Sequence, residues 1–311
     1  MTESTLPHDP HWPRASEWLT APPAKSAARG GLALLGVPSH TSSISPSKAH
    51  TTPAAVRKML GRYSLFAAGA HIDLADLHVV DIGNVEDPDA PGGEARVALA
   101  AEEAARNFPA LLGIGGDNSI TYSLMRGMAG DALGEWGLIT IDAHHDLRDG
   151  TSNGSPVRRL VEAGLPGAHI VQIGIADFSN SAFYARRANE YGITVVPRSD
   201  LRHRSAAEVA AQALAVAGRG GRPVFVDLDV DVCDRSVAPA CPASAPGGIS
   251  ADELRQLARA LARDPRVRGL DITEVDATAD AADDRTVRLA ALLVLEVAAG
   301  VMTRGTPADQ V

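Results

Sequence analysis

The stretch Gly137-Leu138-Ile139-Thr140-Ile141-Asp142-Ala143-His144-His145-Asp146 decides the fold of this chain. Its first half is a short, mostly apolar run, which is typical of a strand buried on both faces of a parallel sheet. Its second half places two carboxylates and an imidazole at alternate positions, so Asp142, His144 and Asp146 point to one side of an extended chain. Ligands bind beyond the carboxyl ends of parallel strands. The stretch therefore predicts a buried sheet and the edge at which its chemistry occurs.

Short apolar runs alternate with Ala-rich helical patterns over most of the chain, which predicts an α/β fold with a parallel sheet wrapped by helices. The strand candidates are Gly31–Val37, Val79–Ile82, Ala110–Ile114, Gly137–Ile141, Ile170–Ile175, Thr194–Val196, Val224–Leu228 and Gly269–Ile272. The helix candidates are Pro53–Leu60, Glu94–Asn107, Ile120–Met128, Val157–Glu162, Ser181–Tyr191, Ala206–Ala217, Ala251–Leu261 and Thr286–Val301.

The length of 311 residues suits one large α/β domain, and no repeat or linker divides it. The first thirty residues carry five prolines and predict an extended N-terminal arm. Residues 31–311 are predicted to form a single domain.

Composition excludes several classes of function. The net charge of −9 argues against a nucleic-acid partner, because phosphate binding requires a basic face. The apolar stretch 289–301 contains Glu296 and is shorter than the roughly 20 residues that span a bilayer, so no membrane is expected. The N-terminus does not resemble a secretory signal, which predicts a cytoplasmic protein. Cys233 and Cys241 are expected to be reduced thiols.

Two further strand ends carry groups that bind metals. Gly115-Gly116-Asp117-Asn118-Ser119 follows one apolar run, and Asp229-Val230-Asp231-Val232-Cys233-Asp234 follows another. A lone Asp-x-Asp after a strand is often a solvated loop or a helix cap. Together with the first stretch, however, these segments gather four carboxylates and one imidazole, which two divalent cations would neutralise. Oxygen-rich ligation with one histidine favours manganese over zinc.

On these residues the chain resembles the ureohydrolases, the superfamily of arginase and agmatinase. The likeness implies a three-layer α/β/α fold of the arginase-like type, a homo-oligomer (trimer or hexamer) and a small-molecule substrate. The segments that carry it are Gly36-Val37-Pro38, Gly115-Gly116-Asp117, Asp142-Ala143-His144-His145-Asp146, Asp229-Val230-Asp231, Ala238-Pro239, Gly247-Gly248, Glu274-Val275-Asp276 and Asp280.

The resemblance also implies roles for the site residues. Asp142 and Asp229 would bridge two Mn²⁺ ions per subunit, Asp146 would complete one shell, and His144 with Asp231 would complete the other. Hydroxide activated by the metals would attack the substrate. Glu274 would hold the cationic amidine or guanidine group. Apart from the resemblance, Asp146 and metal-bound water are the two candidate proton sources for the leaving nitrogen.

Within the superfamily the chain is most similar to formimidoylglutamases. Their pattern matches Asp142 to Arg148 and then Ser152-Asn153-Gly154-Ser155-Pro156-Val157-Arg158. The implied reaction is hydrolysis of N-formimino-L-glutamate to L-glutamate and formamide, a step in histidine degradation. Arg148 would bind a substrate carboxylate, unless it forms a structural salt bridge. The other substrate-binding candidates are Asn153, Ser155, Asp177 and Asn180; helix capping explains Asp177 and Asn180 equally well.

Two positions depart from the family pattern. Asn118 stands where the family has its first histidine ligand, and its amide oxygen is a weaker metal ligand, so one of the two ions is expected to bind weakly or to be absent. Asn153 stands where arginases and agmatinases have a histidine. The alternatives are an agmatinase or guanidino-acid ureohydrolase releasing urea, or a metal-poor, non-catalytic homologue. His145 is expected to be structural.

Overall fold

In the computed structural model, which describes residues 9–19 and 31–305, the core of the molecule is an eight-stranded, all-parallel sheet. Its strand order is β4-β1-β5-β10-β9-β6-β7-β8, and β2 and β3 form a separate antiparallel pair. The strands are β1 (Gly31–Val37), β2 (Phe66–Ala67), β3 (Ile72–Asp73), β4 (His78–Asn84), β5 (Ala110–Gly115), β6 (Gly137–Ile141), β7 (Ile170–Ile175), β8 (Thr194–Pro197), β9 (Val224–Asp229) and β10 (Val267–Thr273).

Helices cover both faces of this sheet, as expected where parallel strands are joined by helical crossovers. They are α1 (Ala15–Trp18), α2 (Thr52–Leu60), α3 (Gly93–Asn107), α4 (Ile120–Ala129), α5 (Pro156–Glu162), α6 (Ala182–Tyr191), α7 (Arg198–Leu201), α8 (Ala206–Ala217), α9 (Ala251–Ala262) and α10 (Arg285–Met302).

Two buried apolar clusters separate the three layers. Leu32 and Leu34 of β1 point to one face, where they join side chains of α2, α8, α9 and α10. Ala33, Leu35 and Val37 point to the other face, among side chains of α3, α4, α5 and α6. Alternate residues of a strand face opposite sides, so one apolar strand contributes to both clusters. The predicted three-layer α/β/α fold is confirmed.

The predicted strands and long helices all occur, with ends within two residues of the predicted ones. The predicted N-terminal arm differs from the structure in one respect. Within its described part, the chain is not wholly extended, because α1 forms a helical turn whose Ala15 and Trp18 are buried. Trp18 Nε1 donates to the Leu77 carbonyl oxygen at 3.0 Å. The remaining residues of the predicted arm lie outside the described residues, and the division into arm and domain stays a prediction.

The short elements α7, β2 and β3 were not predicted, because two to four residues are too few to show a hydrophobic period. Helix α10 is the longest of those described, and no helix of the described chain is both long and apolar enough to cross a bilayer.

The strand order determines where the predicted ligands lie. Strands β5, β10, β9 and β6 are neighbours in the middle of the sheet, and all four run in the same direction. Their carboxyl ends carry the Asn118, Glu274, Asp229 and Asp142 segments, in that order. Residues that are far apart in the sequence are therefore brought to one edge.

Candidate metal centre

A cavity of about 370 Å³ opens above these four strand ends. We call the carboxylate-rich inner end of this cavity the floor; its residues are Asp142, His144, Asp146, Asp229, Asp231 and Glu274. We call the outer rim the mouth; its residues are Ile44, Ser45, Arg148 and Tyr184. All floor residues except Asp142 line the cavity directly, and Asp142 lies fully buried behind His144.

Three floor residues come close enough to share one ion. Ligand atoms of Asp142, His144 and Asp231 lie within 4.8 Å of one another; in the described parts of the chain, this is the one group of three or more that meets this distance. His144 Nδ1 is 2.7 Å from Asp231 Oδ2 and 3.4 Å from Asp142 Oδ1. The sequence predicted all three as ligands of the same metal site.

Backbone N–H groups orient the floor carboxylates. Asp231 N donates to Asp229 Oδ1 at 2.8 Å, and Ala143 N donates to Asp231 Oδ1 at 3.1 Å. His144 N donates to Asp142 Oδ1 at 2.6 Å. These bonds link the β6 and β9 loops, so the carboxylates are preorganised by the chain itself.

The floor holds more negative charge than it can keep in the absence of a cation. Burial, followed by repulsion from Asp231, raises the pKa of Asp142 to about 7. Burial and neighbouring carboxylates raise the pKa values of Asp146 and Asp229 well above the usual range. Burial also opposes ionisation of Asp231 and His144, but their mutual attraction wins: the pKa of Asp231 is lowered and that of His144 rises to about 12.

These residues fit a divalent cation. Asp142 Oδ2 is buried and has no hydrogen-bond partner, which is costly unless an ion or a proton satisfies it. The donors are carboxylate oxygens with one imidazole, a set suited to hard and intermediate divalent ions such as Mn²⁺. Asp142, His144, Asp229 and Asp231 would hold an ion here, and Asp146 is the predicted ligand of a second one.

The amide group of Asn118 is not oriented as expected for a metal ligand. The sequence offered its amide oxygen as a weak metal ligand. In the structure, Nδ2 donates to Asp146 Oδ2 at 2.5 Å, and Oδ1 instead faces the hydroxyl groups of Thr121 and Thr273. Asn118 therefore acts as a hydrogen-bond donor to Asp146, which corrects the prediction of a ligand oxygen.

Glu274 presents one oxygen to the protein and leaves the other for the cavity. Its Oε1 accepts hydrogen bonds from Asn118 N at 2.8 Å and Asn153 Nδ2 at 2.9 Å. Burial, followed by the nearby Asp117 charge, raises the pKa of Glu274 to about 8. Both Glu274 (φ 65°) and Asp146 (φ 53°) are left-handed, a conformation that costs on the order of 1–3 kcal/mol for a residue with a side chain.

Arg148 lies exposed at the mouth, and no described residue forms an ion pair with its guanidinium group. The alternative of a structural salt bridge therefore receives no support. Its side-chain stem packs on Gly154, where an added Cβ would lie 2.9 Å from Arg148 Cδ. Arg158 Nε donates to the Arg148 carbonyl oxygen at 2.6 Å, and Arg187 Nη1 donates to the Leu147 carbonyl oxygen at 2.7 Å. The backbone is thus held from both sides while the side chain stays free.

The remaining substrate-binding candidates fall into two groups. Asn153 and Asn180 line the cavity, but Asn180 also braces the loop by accepting from His145 N and donating to the Ala143 carbonyl oxygen, both at 2.9 Å. Ser155 and Asp177 do not line it.

Ser155 is fully buried and its hydroxyl is bonded within its own loop, where it donates to the Ser152 carbonyl oxygen at 2.8 Å. Asp177 is exposed outside the cavity. Neither Asp177 nor Asn180 caps α6, because the N-cap is Ser181. The substrate contacts predicted for Ser155 and Asp177 are therefore corrected.

Sequence reasoning missed Tyr184, which lines the mouth from the first turn of α6. The available signal was an aromatic pair, Phe183 and Tyr184, on a helix that is otherwise mostly polar or small. His145 Nδ1 lies 2.7 Å from Gln172 Oε1 of β7, which agrees with a structural role. Cys233 and Cys241 are both free and buried.

Comparisons with known proteins point in one direction. The sequence profile of the arginase family matches residues 31–300. The formimidoylglutamase of Halalkalibacterium halodurans is 38% identical over 280 residues, which cover 87% of each protein. The crystal structure of Bacillus subtilis formimidoylglutamase superposes with a TM-score of 0.88 at 31% identity, covering 98% of this chain and 97% of the other. That of Trypanosoma cruzi formiminoglutamase with Mn²⁺ has a TM-score of 0.84 at 22% identity, over 94% and 99% of the chains, and supports the fold alone.

Proposed function

The chain belongs to the arginase family, and on that premise we propose that it hydrolyses N-formimino-L-glutamate to L-glutamate and formamide, as the formimidoylglutamases it resembles are named to do. Histidine degradation is the pathway that produces this substrate. Manganese is the proposed cofactor, with two ions expected per subunit.

The distribution of charge along the cavity carries this proposal. The floor is a cluster of buried carboxylates, whereas Arg148 at the mouth is a cation with no ion-pair partner among the described residues. A ligand that fits both must carry a cationic group at its inner end and a carboxylate at its outer end. N-formimino-L-glutamate has this arrangement, because its formimino group is an amidine and its amino-acid part carries two carboxylates.

Glu274 would orient the amidine. Its Oε1 is already occupied by Asn118 N and Asn153 Nδ2, so Oε2 is the oxygen left to accept a hydrogen bond from the amidinium group. Asn153 Oδ1 also accepts a hydrogen bond from Ile44 N at 3.0 Å. The Asn153 side chain therefore links Ile44 of the mouth to Glu274 of the floor. This arrangement would fix the planar carbon over the floor.

Divalent cations bound by the floor would lower the pKa of water and so supply a nucleophile at neutral pH. In the overall reaction the water oxygen adds to the formimino carbon, and the bond from that carbon to the glutamate nitrogen breaks. The glutamate nitrogen gains a proton, and formamide leaves. Asp146 is the candidate proton carrier: it faces the cavity, and its carboxylate would take a proton from the nucleophilic water and pass it to the glutamate nitrogen.

A substrate panel with Mn²⁺ tests the proposal. Formamide, ammonia and urea are scored separately on N-formimino-L-glutamate, 4-guanidinobutyrate, agmatine and arginine. We expect formamide from the first compound and no urea from agmatine, whose free ammonium group would meet Arg148. Urea from a guanidino compound with N-formimino-L-glutamate untouched would contradict the proposal. Manganese content far below one ion per chain, with no turnover of any compound, would instead indicate a non-catalytic homologue.

The cytoplasmic location and the trimeric or hexameric assembly also stay proposals. Light scattering on the purified protein measures the assembly, and fractionation of the source cells measures the location.

A further inference from the structure

A run of buried hydrogen bonds leads from the sheet to the floor, and its inner members have no part in the function proposed above. Asp271 Oδ2 of β10 lies 2.8 Å from Thr121 Oγ1 of α4. The same Oγ1 lies 2.9 Å from Asn118 Oδ1, and Asn118 Nδ2 donates to Asp146. Asp271, Thr121 and Asn118 are all at most 1% exposed, so water does not compete for these bonds.

The donors and acceptors of this run can be assigned by counting protons. Asn118 donates to Asp146 through Nδ2, so its Oδ1 must accept. Thr121 has a single hydroxyl proton, which goes to that oxygen. The contact between Thr121 and Asp271 then requires Asp271 to donate, as a neutral carboxyl does.

Two observations support a neutral Asp271. Its Oδ1 atom is buried without a hydrogen-bond partner, a state that is costly for an ionised carboxylate. Burial also raises the pKa of Asp271 to about 7. Its cross-strand neighbour Asp227 is equally buried, with Oδ2 likewise unpartnered.

We propose that Thr121 and Asp271 are positioning residues that fix the Asn118 amide with its nitrogen toward Asp146, and so hold the Asp146 carboxylate ready for a divalent cation. Thr273 supports the same orientation, because its Oγ1 lies 3.2 Å from Asn118 Oδ1. With one Asp146 oxygen held by Asn118, the other is left for the ion.

The inference deepens the proposed function, since both use the metal centre, but it concerns metal binding and not the identity of the substrate. Loss of Thr121 would let the amide turn and would leave Asp146 without a fixed donor. Groups that orient a ligand from behind commonly contribute about 10–100-fold to metal affinity.

Thr121→Val tests the proposal, because it keeps the shape of the side chain and removes the hydroxyl group. The matched control is Thr140→Val. Thr140 of β6 is also fully buried, pairs across the ladder with Asp227, and has an Oγ1 atom without a hydrogen-bond partner. The same substitution there removes no hydrogen bond. Thr121→Ser keeps the hydroxyl group and should restore the wild-type property.

The full-length protein, freed of metal by dialysis, is titrated with MnCl₂, and free Mn²⁺ is read by electron paramagnetic resonance. We expect Thr121→Val to weaken Mn²⁺ binding by about tenfold or more, while Thr121→Ser and Thr140→Val stay within about twofold of wild type. Thermal unfolding of the metal-free proteins should give a lower midpoint for Thr121→Val than for Thr140→Val, because only Thr121→Val leaves buried polar groups unpaired, and both proteins should be folded at the temperature of the titration.

Equal Mn²⁺ affinity of Thr121→Val and Thr140→Val would overturn the inference, as would a Thr121→Ser protein as weak as Thr121→Val. If Thr121→Val does not fold, Asn118→Leu serves in its place: weakened binding supports the inference and wild-type binding overturns it. No substrate enters these measurements, so their outcome is independent of which compound releases formamide or urea.

Discussion

The floor and the mouth of the cavity are built in opposite ways. Floor carboxylates are buried, bonded to backbone N–H groups and pushed toward protonation by burial and by one another. At the mouth, Arg148 and Ser45 are exposed, Tyr184 is half-buried, and the Arg148 guanidinium group is free of ion pairs among the described residues. The reaction is therefore expected to depend on floor carboxylates that are fixed by many contacts within the fold. Substrate preference is expected to depend on mouth side chains that make few such contacts.

The largest effect is expected at the floor, from Asp229→Asn. The variant keeps the size of the side chain and removes one negative charge from the ion-binding set. Because a bound metal contributes several kcal/mol to transition-state stabilisation, kcat should fall by roughly 10³-fold or more, together with manganese content. Metal analysis and steady-state kinetics measure the two quantities. Full activity with full metal content would show that Asp229 lies outside the reacting centre.

Glu274→Gln separates substrate orientation from metal binding within the floor. Glutamine can still accept from Asn118 N, but it offers no negative charge to the amidinium group. A charge-assisted hydrogen bond of about 2–3 kcal/mol would be lost, so kcat/KM should fall by roughly 30–150-fold. Manganese content should stay at the wild-type level. Loss of metal in this variant would place Glu274 among the metal ligands and would contradict a role in substrate orientation alone.

Arg148→Ala probes the mouth. The KM for N-formimino-L-glutamate should rise by about 10–100-fold with kcat little changed, because the lost ion pair acts on binding alone. Arg148→Lys should be intermediate, since a lysine cannot form the bidentate contact. Formamidine, which has no carboxylate, is the matched control substrate and should be turned over equally by wild type and Arg148→Ala. An equal loss on both substrates would mean that Arg148 supports the fold of the mouth and does not bind a carboxylate.

The smallest effect is expected at Asp234, just beyond the floor. Hydrogen bonds from the Ser236 side chain and backbone and from Gly247 N lower the pKa of Asp234 to about 2, the reverse of the shift at Asp142. A carboxylate with a lowered pKa contributes stability above its unfolded pKa of about 3.9, and that stability is lost as the pH falls toward 2. Asp234→Ala should therefore lower the thermal midpoint slightly at pH 7, by an amount that shrinks between pH 4 and pH 2. A difference that is independent of pH would mean that packing, and not the charge, is responsible.

Local patterns in the sequence predict most of the fold and part of the site. Apolar runs such as Gly137–Ile141 and Ile170–Ile175 gave both strand ends correctly. Alternation along each segment is a local property, and it predicted which side chains of Asp142, His144 and Asp231 point the same way; the family resemblance implied that the three share one ion, and the structure brings them together.

Other features depend on groups that are distant in the sequence. The orientation of the Asn118 amide is set by Thr273, 155 positions away, and by Thr121 on the next helix. The hydroxyl group of Ser155 could in principle bind a substrate, but the turn of its loop buries this group and bonds it to the Ser152 carbonyl oxygen. Tyr184 reaches the mouth only because α6 packs beside the Leu147–Asp149 loop through Arg187.

The left-handed backbone at Glu274 and Asp146 has a consequence for anyone who redesigns this protein. Glycine adopts a left-handed conformation without steric strain. A screen that selects only for thermal stability is therefore expected to select glycine at both positions. Those are the positions at which a missing side chain would leave the amidine and the second ion without a contact. Improved thermotolerance and lost turnover would then be selected together, and a library built on this scaffold should keep both codons fixed.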